Sequence, residues 1–247
     1  MALRESLEKQ GNWLFRNRSF LPLVLVFPGF LWYIYLIING DKSPNSWWLD
    51  FLFLLIGLLG LMIRVFTVGF TPKGTSGRNT KEGQVAEELN QTGIYSIVRH
   101  PLYLGNFFMW LAPVLVIGDL WFVLFFCAVY WIYYERIMYA EEEFLRRKFG
   151  EVYESWANKT PAFVPKFSMF KKSSLPFSLK NVLRREYNSF FNLILIITLL
   201  RFAALSINLN KLYLDFYWII IFSLGTLIFM VLKILKKFTK VLNVEGR

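Results

Sequence analysis

Residues 101–134 read PLYLGNFFMWLAPVLVIGDLWFVLFFCAVYWIYY, two apolar runs interrupted only by Gly118-Asp119. So short a connection forces an antiparallel helical hairpin. Proline at 101 suits the first turn of the outgoing helix, where its missing N–H has no intrahelical partner to lose. At about 1.5 Å per residue the outgoing run covers roughly 25 Å, and the return run comes back to the same depth near Arg136. Glu135–Phe149 is therefore expected beside His100, far from it in sequence.

Working outward, further apolar blocks occur at Phe20–Ile38, Trp47–Phe70, Phe190–Ile207 and Leu212–Leu235. A helix needs roughly 20 apolar residues to cross the hydrocarbon of a bilayer. The chain is 55% hydrophobic and 19% aromatic, a load carried in long blocks rather than in alternation. The expected fold class is all-α, a polytopic membrane protein with about six transmembrane helices. The late start of the first block, with no small-residue cleavage site after it, predicts a span rather than a cleaved leader. A single cysteine, Cys127, excludes a disulfide framework.

The net charge of +11 is informative by position. Of the 28 lysines and arginines, all but Lys42, Arg64, Arg201 and Lys211 lie at the termini, in residues 71–100 or in residues 135–189. Lysine and arginine concentrate on the cytoplasmic side. This predicts an integral membrane protein with both termini and the basic segments 71–100 and 135–189 on the cytoplasmic side. A basic surface drawn to anionic headgroups is a compatible reading, and nothing in the pattern points to nucleic acid.

Residues 2–16 carry Leu3, Leu7 and Leu14 at helical spacing, which fits either a helix on the membrane surface or a solvated lead-in. Thr71–Thr80 is a turn-rich loop, and Lys81–Leu89 is expected to form a short helix. Three units follow: residues 1–92 with two spans and a cytoplasmic loop, 93–165 with the hairpin, and 166–247 with the last two spans.

The chemistry-bearing residues flank the hairpin. His100, the sole histidine, sits in YSIVRHPLYLG (95–105), and YAEEEFLRRKFG (139–150) follows on the return side. On a continued helix Glu141 and Glu142 ride the apolar stripe with Ile137, Met138 and Leu145, whereas Glu143 is expected to pair with Arg147 on the wet face. An unpaired buried carboxylate is costly, so Glu141 and Glu142 should meet Arg99, His100 or a cationic ligand. Taken singly, the glutamates read as a solvated helix end, Arg99 as a membrane anchor and Tyr103 as an interfacial aromatic. The hairpin makes them one constellation.

The runs Arg99-His-Pro-Leu-Tyr-Leu-Gly105, Glu141-Glu142 and Phe149-Gly-Glu-Val-Tyr153 resemble the membrane-embedded isoprenylcysteine carboxyl methyltransferase and phospholipid methyltransferase superfamily. The pattern is RHPxYxG, a hairpin, then EExxLxxxFGxxYxxY and a Val-Pro tail; it covers roughly Gly93–Pro165. Ser96 stands where arginine is frequent, Trp156 replaces the second tyrosine, and Thr160-Pro161 replaces Val-Pro. The resemblance implies S-adenosylmethionine as methyl donor, with Arg99, His100 and Glu142 as catalytic residues. It further implies donor contacts from Tyr95, Pro101, Tyr103, Gly105 and Glu141. The donor's carboxylate would seek Arg99 and its ammonium Glu142 or Glu141, with His100 orienting an oxygen in either tautomer. No glycine-rich loop following a strand offers the other common donor site, and no metal site is expected.

Arg64, within a span, is a functional candidate by default, with snorkelling to the surface as the alternative. Arg64, Arg78, Arg146, Tyr153 and Trp156 are the expected acceptor contacts, and a basic rim suits an anionic headgroup. Arg201, nearer the opposite face, reads as a packing or snorkelling residue. The expected reaction is O-methylation of a membrane lipid, most simply a lipid phosphate such as lipid A 1-phosphate. Alternatives are methylation of a prenylcysteine carboxyl or a phosphatidylethanolamine amine, and a non-catalytic membrane scaffold. A transporter ranks last, because so few charges lie within the spans.

Overall fold

The computed structural model describes residues 2–18, 21–72 and 84–246. The described chain forms eight α-helices: α1 Leu3–Asn17, α2 Leu21–Ile38, α3 Trp47–Gly69, α4 Pro101–Ile117, α5 Leu120–Phe149, α6 Glu151–Ala157, α7 Leu179–Asn208 and α8 Phe216–Phe238. Among these, α3, α5, α7 and α8 are long and apolar enough to cross a membrane, and α2 and α4 contribute shorter apolar helices. The molecule is a polytopic helical membrane protein, as its blocks predict.

The hairpin forms from local chemistry. Pro101 occupies the first turn of α4, and Gly118 ends that helix in the left-handed conformation with φ +65°, which glycine adopts without a Cβ clash. Asp119 caps α5, its side chain accepting from the Phe122 N–H at 2.7 Å. The arms nevertheless find their main partners elsewhere, α4 against α3 and α5 against α1. The α3–α4 contact is close because both faces are small. A Cβ on Gly60 would lie 2.4 Å from the Gly105 carbonyl oxygen, and one on Gly105 would lie 2.6 Å from Arg64 Cγ.

α1 docks on α5 rather than lying apart from it. Gly11 packs against Ala140 and the Arg136 carbonyl, Arg4 binds Glu143, and Arg147 binds Glu8 at 2.5 Å. Glu143 is therefore not on a wet face paired with Arg147. It is buried, and Arg4 and Arg146 neutralise it. The reversal has a physical cause: α1, which no period in α5 announces, covers the side of α5 that carries Glu143.

α7 begins at Leu179 rather than near Phe190, with Ser178 capping it, and this brings Glu186 against α3. Arg64 binds Glu186 through two hydrogen bonds, 2.8 and 2.9 Å, and gives a third to Asn106 at 2.6 Å. It does not snorkel: a nearly buried carboxylate holds it. Arg201 is a packing residue at the other end of α7, bound to Asp50 at 2.6 Å and Asp215 at 2.5 Å. The described part of the expected Lys81–Leu89 helix, from 84 onward, is not helical. It is drawn across the mouth of the site, where Ala86 is buried.

Candidate active site

The end of α4 and the far stretch of α5 meet as the hairpin arithmetic requires. His100 Nε2 lies 2.8 Å from Glu142 Oε1, and its Nδ1 lies 3.6 Å from Glu141 Oε2. Tyr103, one turn into α4, donates to Glu141 at 2.8 Å, and its ring lies over that of His100, centroids 5.6 Å apart. Arg99 Nε donates to Glu142 at 2.9 Å, while its Nη1 donates to the Ala157 and Thr160 carbonyls at 2.6 and 2.8 Å. Arg99 thus holds a carboxylate and closes the chain after α6 over the site. The Arg99 and His100 N–H groups donate to the Pro161 and Ala162 carbonyls, which fixes the turn between them.

His100 is buried. Burial lowers its pKa, but the hydrogen bonds and charges of Glu141 and Glu142 outweigh that and raise it above the ordinary value of 6.5. The site therefore holds a cationic imidazole more readily than water would. Burial drives the Tyr95 and Tyr153 phenols well above their usual range, so both are neutral hydrogen-bonding groups.

These residues line one pocket, bounded by Phe15 of α1, residues 84–90, Tyr95, Arg99, His100, Glu141, Glu142, Tyr153 and Trp156. Of the donor residues expected from the sequence, Tyr95, Arg99, His100, Glu141 and Glu142 face it directly, and Tyr103 backs Glu141. Pro101 and Gly105 do not line it: Pro101 is a helix-starting residue, and Gly105 admits a neighbour, α3, rather than a ligand. Tyr153 and Trp156, expected at the acceptor, lie in the same pocket, where the Trp156 indole donates to the Tyr95 carbonyl at 3.2 Å. Arg64 and Arg146 are not brought to it; Arg146 is taken by Glu143 and Glu154. Arg78 lies outside the described residues. Phe15, Gln84 and Asn90 belong to no motif, and no signal in the sequence marks them.

An apolar groove runs along the membrane part of the bundle between α2, α4, α5 and α7. It starts near Ile117 and Phe122 at the hairpin turn and ends at Tyr130, Tyr133 and Tyr134. Tyr103 lies between the two cavities, its ring 4.9 Å from that of Tyr134, which lines the groove, and its hydroxyl on Glu141, which lines the pocket. Arg18, just past the end of α1, has its guanidinium 3.8 Å above the ring of Phe15, which lines the pocket.

The phospholipid methyltransferase family model matches residues 52–152. The protein-S-isoprenylcysteine O-methyltransferase B of Arabidopsis thaliana is 31% identical over 54% of this chain and 68% of its own length. The protein-S-isoprenylcysteine O-methyltransferase of Schizosaccharomyces pombe is 38% identical over 30% of this chain and 31% of its own. The nickel-cobalt-cadmium resistance protein NccN of Alcaligenes xylosoxydans xylosoxydans is 29% identical over 56% and 62%. The chain thus spans less than two thirds of the length of the NccN protein and about a third of the fission-yeast enzyme. No solved structure matches. With both motifs meeting across the hairpin, the chain belongs to the superfamily of membrane-embedded phospholipid and isoprenylcysteine methyltransferases.

Proposed function

We propose that this protein is an S-adenosylmethionine-dependent O-methyltransferase acting on an anionic group of a membrane lipid at the cytoplasmic boundary of a bacterial inner membrane. The observation that carries the reading is that Tyr103 links two cavities: its hydroxyl binds Glu141 of the pocket bearing Arg99, His100 and Glu142, and its ring packs on Tyr134, which lines an apolar groove along the bundle. A group with a polar, charged end fits the pocket and a hydrocarbon chain fits the groove.

The pocket's donor set fits S-adenosylmethionine. Its two carboxylates suit an ammonium, the Arg99 guanidinium suits a carboxylate, and the fully buried Tyr153 hydroxyl has no hydrogen-bond partner in the protein. When bound, the cofactor supplies an electrophilic methyl group on a sulfonium. The chain's own residues do the orienting: His100 is held by Glu142, Glu141 by Tyr103, and Arg99 ties the chain after α6 to the site. A phosphate or carboxylate acceptor is ionised at neutral pH, so no general base is required, and alignment in a dry site is the protein's main contribution.

Arg18, just past α1 and stacked on Phe15 of the pocket wall, supplies positive charge there and favours an anionic head. The pairing of Arg64 and Arg146 removes them as acceptor contacts, so the basic rim no longer singles out phosphate. A lipid phosphate such as lipid A 1-phosphate and a prenylcysteine carboxylate, the isoprenylcysteine being named in the Arabidopsis and fission-yeast relatives, share the required chemistry. Purified protein given labelled donor and separate vesicles of phosphate-headed lipid, prenylcysteine and phosphatidylethanolamine is expected to label an anionic acceptor. Label on the amine alone defeats the O-methylation reading. S-Adenosylhomocysteine binding that is lost in Glu142→Gln separates an enzyme from a scaffold.

A further inference from the structure

Three buried polar atoms around the donor pocket have no partner in the protein: Gln84 Oε1, Asn90 Nδ2 and the Tyr153 hydroxyl. All three residues line the pocket that holds His100 and Glu142. Isolated orphan atoms of this kind are uncommon in folded proteins, and three on residues lining one cavity, two from the stretch before the Arg99-His100 motif and one from α6, mark a ligand's hydrogen-bonding surface. Gln84 is also held in place, its Nε2 donating to Asn12 Oδ1 of α1 at 3.3 Å while its Oε1 stays buried and unpaired.

The three atoms are chemically distinct from the charged end of the pocket. Arg99, His100, Glu141 and Glu142 suit charged groups, whereas a side-chain amide oxygen, an amide N–H and a neutral phenol suit an uncharged heterocycle or sugar that both donates and accepts. Asn90 further lies where the pocket meets a second cavity of about 440 Å³, bounded in part by Thr67, Thr71, Thr92, Tyr95 and Ser174. That cavity extends the site away from the carboxylates and makes room for a second half of the ligand.

We propose that Gln84 and Asn90, with Tyr153 opposite, form the nucleoside-recognising wall of the donor pocket. Gln84 Oε1 accepts from, and Asn90 Nδ2 donates to, the base or ribose of the donor. This rests on the S-adenosylmethionine reading above. It assigns a function to the segment before the Arg99-His100 motif, which the sequence pattern leaves without one.

The test is calorimetric titration of the full chain in detergent micelles with S-adenosylhomocysteine and with 5′-methylthioadenosine, which keeps the nucleoside but lacks the amino-acid end. Gln84→Ala and Asn90→Ala are each expected to weaken both ligands by roughly 3- to 10-fold, the loss of one neutral hydrogen bond. Glu142→Gln is expected to weaken S-adenosylhomocysteine and leave 5′-methylthioadenosine unchanged. Asn90→Asp keeps the size and replaces the donor by an acceptor, and it carries the test should the alanine variant not fold; it is expected to show the same loss. Unchanged affinities in the Gln84 and Asn90 variants overturn the assignment. So does a loss confined to S-adenosylhomocysteine, or a wild type that binds S-adenosylhomocysteine but not 5′-methylthioadenosine. A wild type that binds neither overturns the donor reading itself.

Discussion

Glu186→Leu is expected to be the most damaging single substitution outside the donor pocket. Its carboxylate receives both an Nε and an Nη2 hydrogen bond from Arg64, and the two side chains are 4% and 17% exposed. Removing one partner of a buried pair leaves the other charge uncompensated, at a cost of about 3–5 kcal/mol. For a chain of this size each kcal/mol moves the melting temperature by roughly 2–4 °C, so a fall of about 6–20 °C is expected. The double variant Arg64→Leu with Glu186→Leu removes both charges. Its remaining loss is the hydrogen bond to Asn106, about 1 kcal/mol, so most of the stability should return. Scanning fluorimetry of the four proteins in one detergent gives the cycle and its coupling energy. A Glu186→Leu protein within about 1 kcal/mol of wild type, or a double variant as unstable as that single one, refutes the claim that the pair is buried and mutually dependent.

Glu142→Gln exchanges a carboxylate that accepts from Arg99 and His100 for a neutral amide; S-adenosylhomocysteine affinity is expected to fall about 10- to 150-fold, the worth of a charge-assisted hydrogen bond, and titration calorimetry measures it. Because His100 has its pKa raised in the folded state, the stability it contributes is fully present below pH 6.5 and is lost as pH rises through the raised value. A melting-temperature series across that window should fall with pH by more in wild type than in His100→Gln, and equal slopes would dismiss the coupling. Gly105→Ala sets a Cβ 2.6 Å from Arg64 Cγ and 2.7 Å from the Gly60 carbonyl oxygen; a destabilisation of about 1–3 kcal/mol is expected by the same melting assay. Gly11→Leu should detach α1 from α5, which limited proteolysis at the N-terminus would detect.

Much of this arrangement was readable from the chain. The apolar blocks and the Gly118-Asp119 break specify spans and a hairpin, and the rise per residue places Glu141 and Glu142 beside His100. What periodicity cannot show is which element covers which face. Glu143 looked wet because its helical neighbours are charged, yet α1 buries it. Arg64 looked available because its own helix offers no carboxylate nearer than Asp50, fourteen residues away, yet α7 brings one from a stretch that hydropathy reads as loop. Gln84 and Asn90 carried no pattern, since an irregular strand of chain laid over a pocket leaves no period to read.

The hairpin's arms touch through large rings, Phe107 lying 6.1 Å from Phe126 and 5.2 Å from Tyr130, and each arm takes its backbone support from a different helix. The two motifs therefore sit at the free ends of a pair of tongs whose pivot is the two-residue turn. Over an arm of roughly 25 Å, one degree of change at the pivot moves the tips by about 0.4 Å relative to each other. A residue inserted at Gly118-Asp119, on the face remote from the chemistry, would act as a setting screw on the gap between His100 and Glu142.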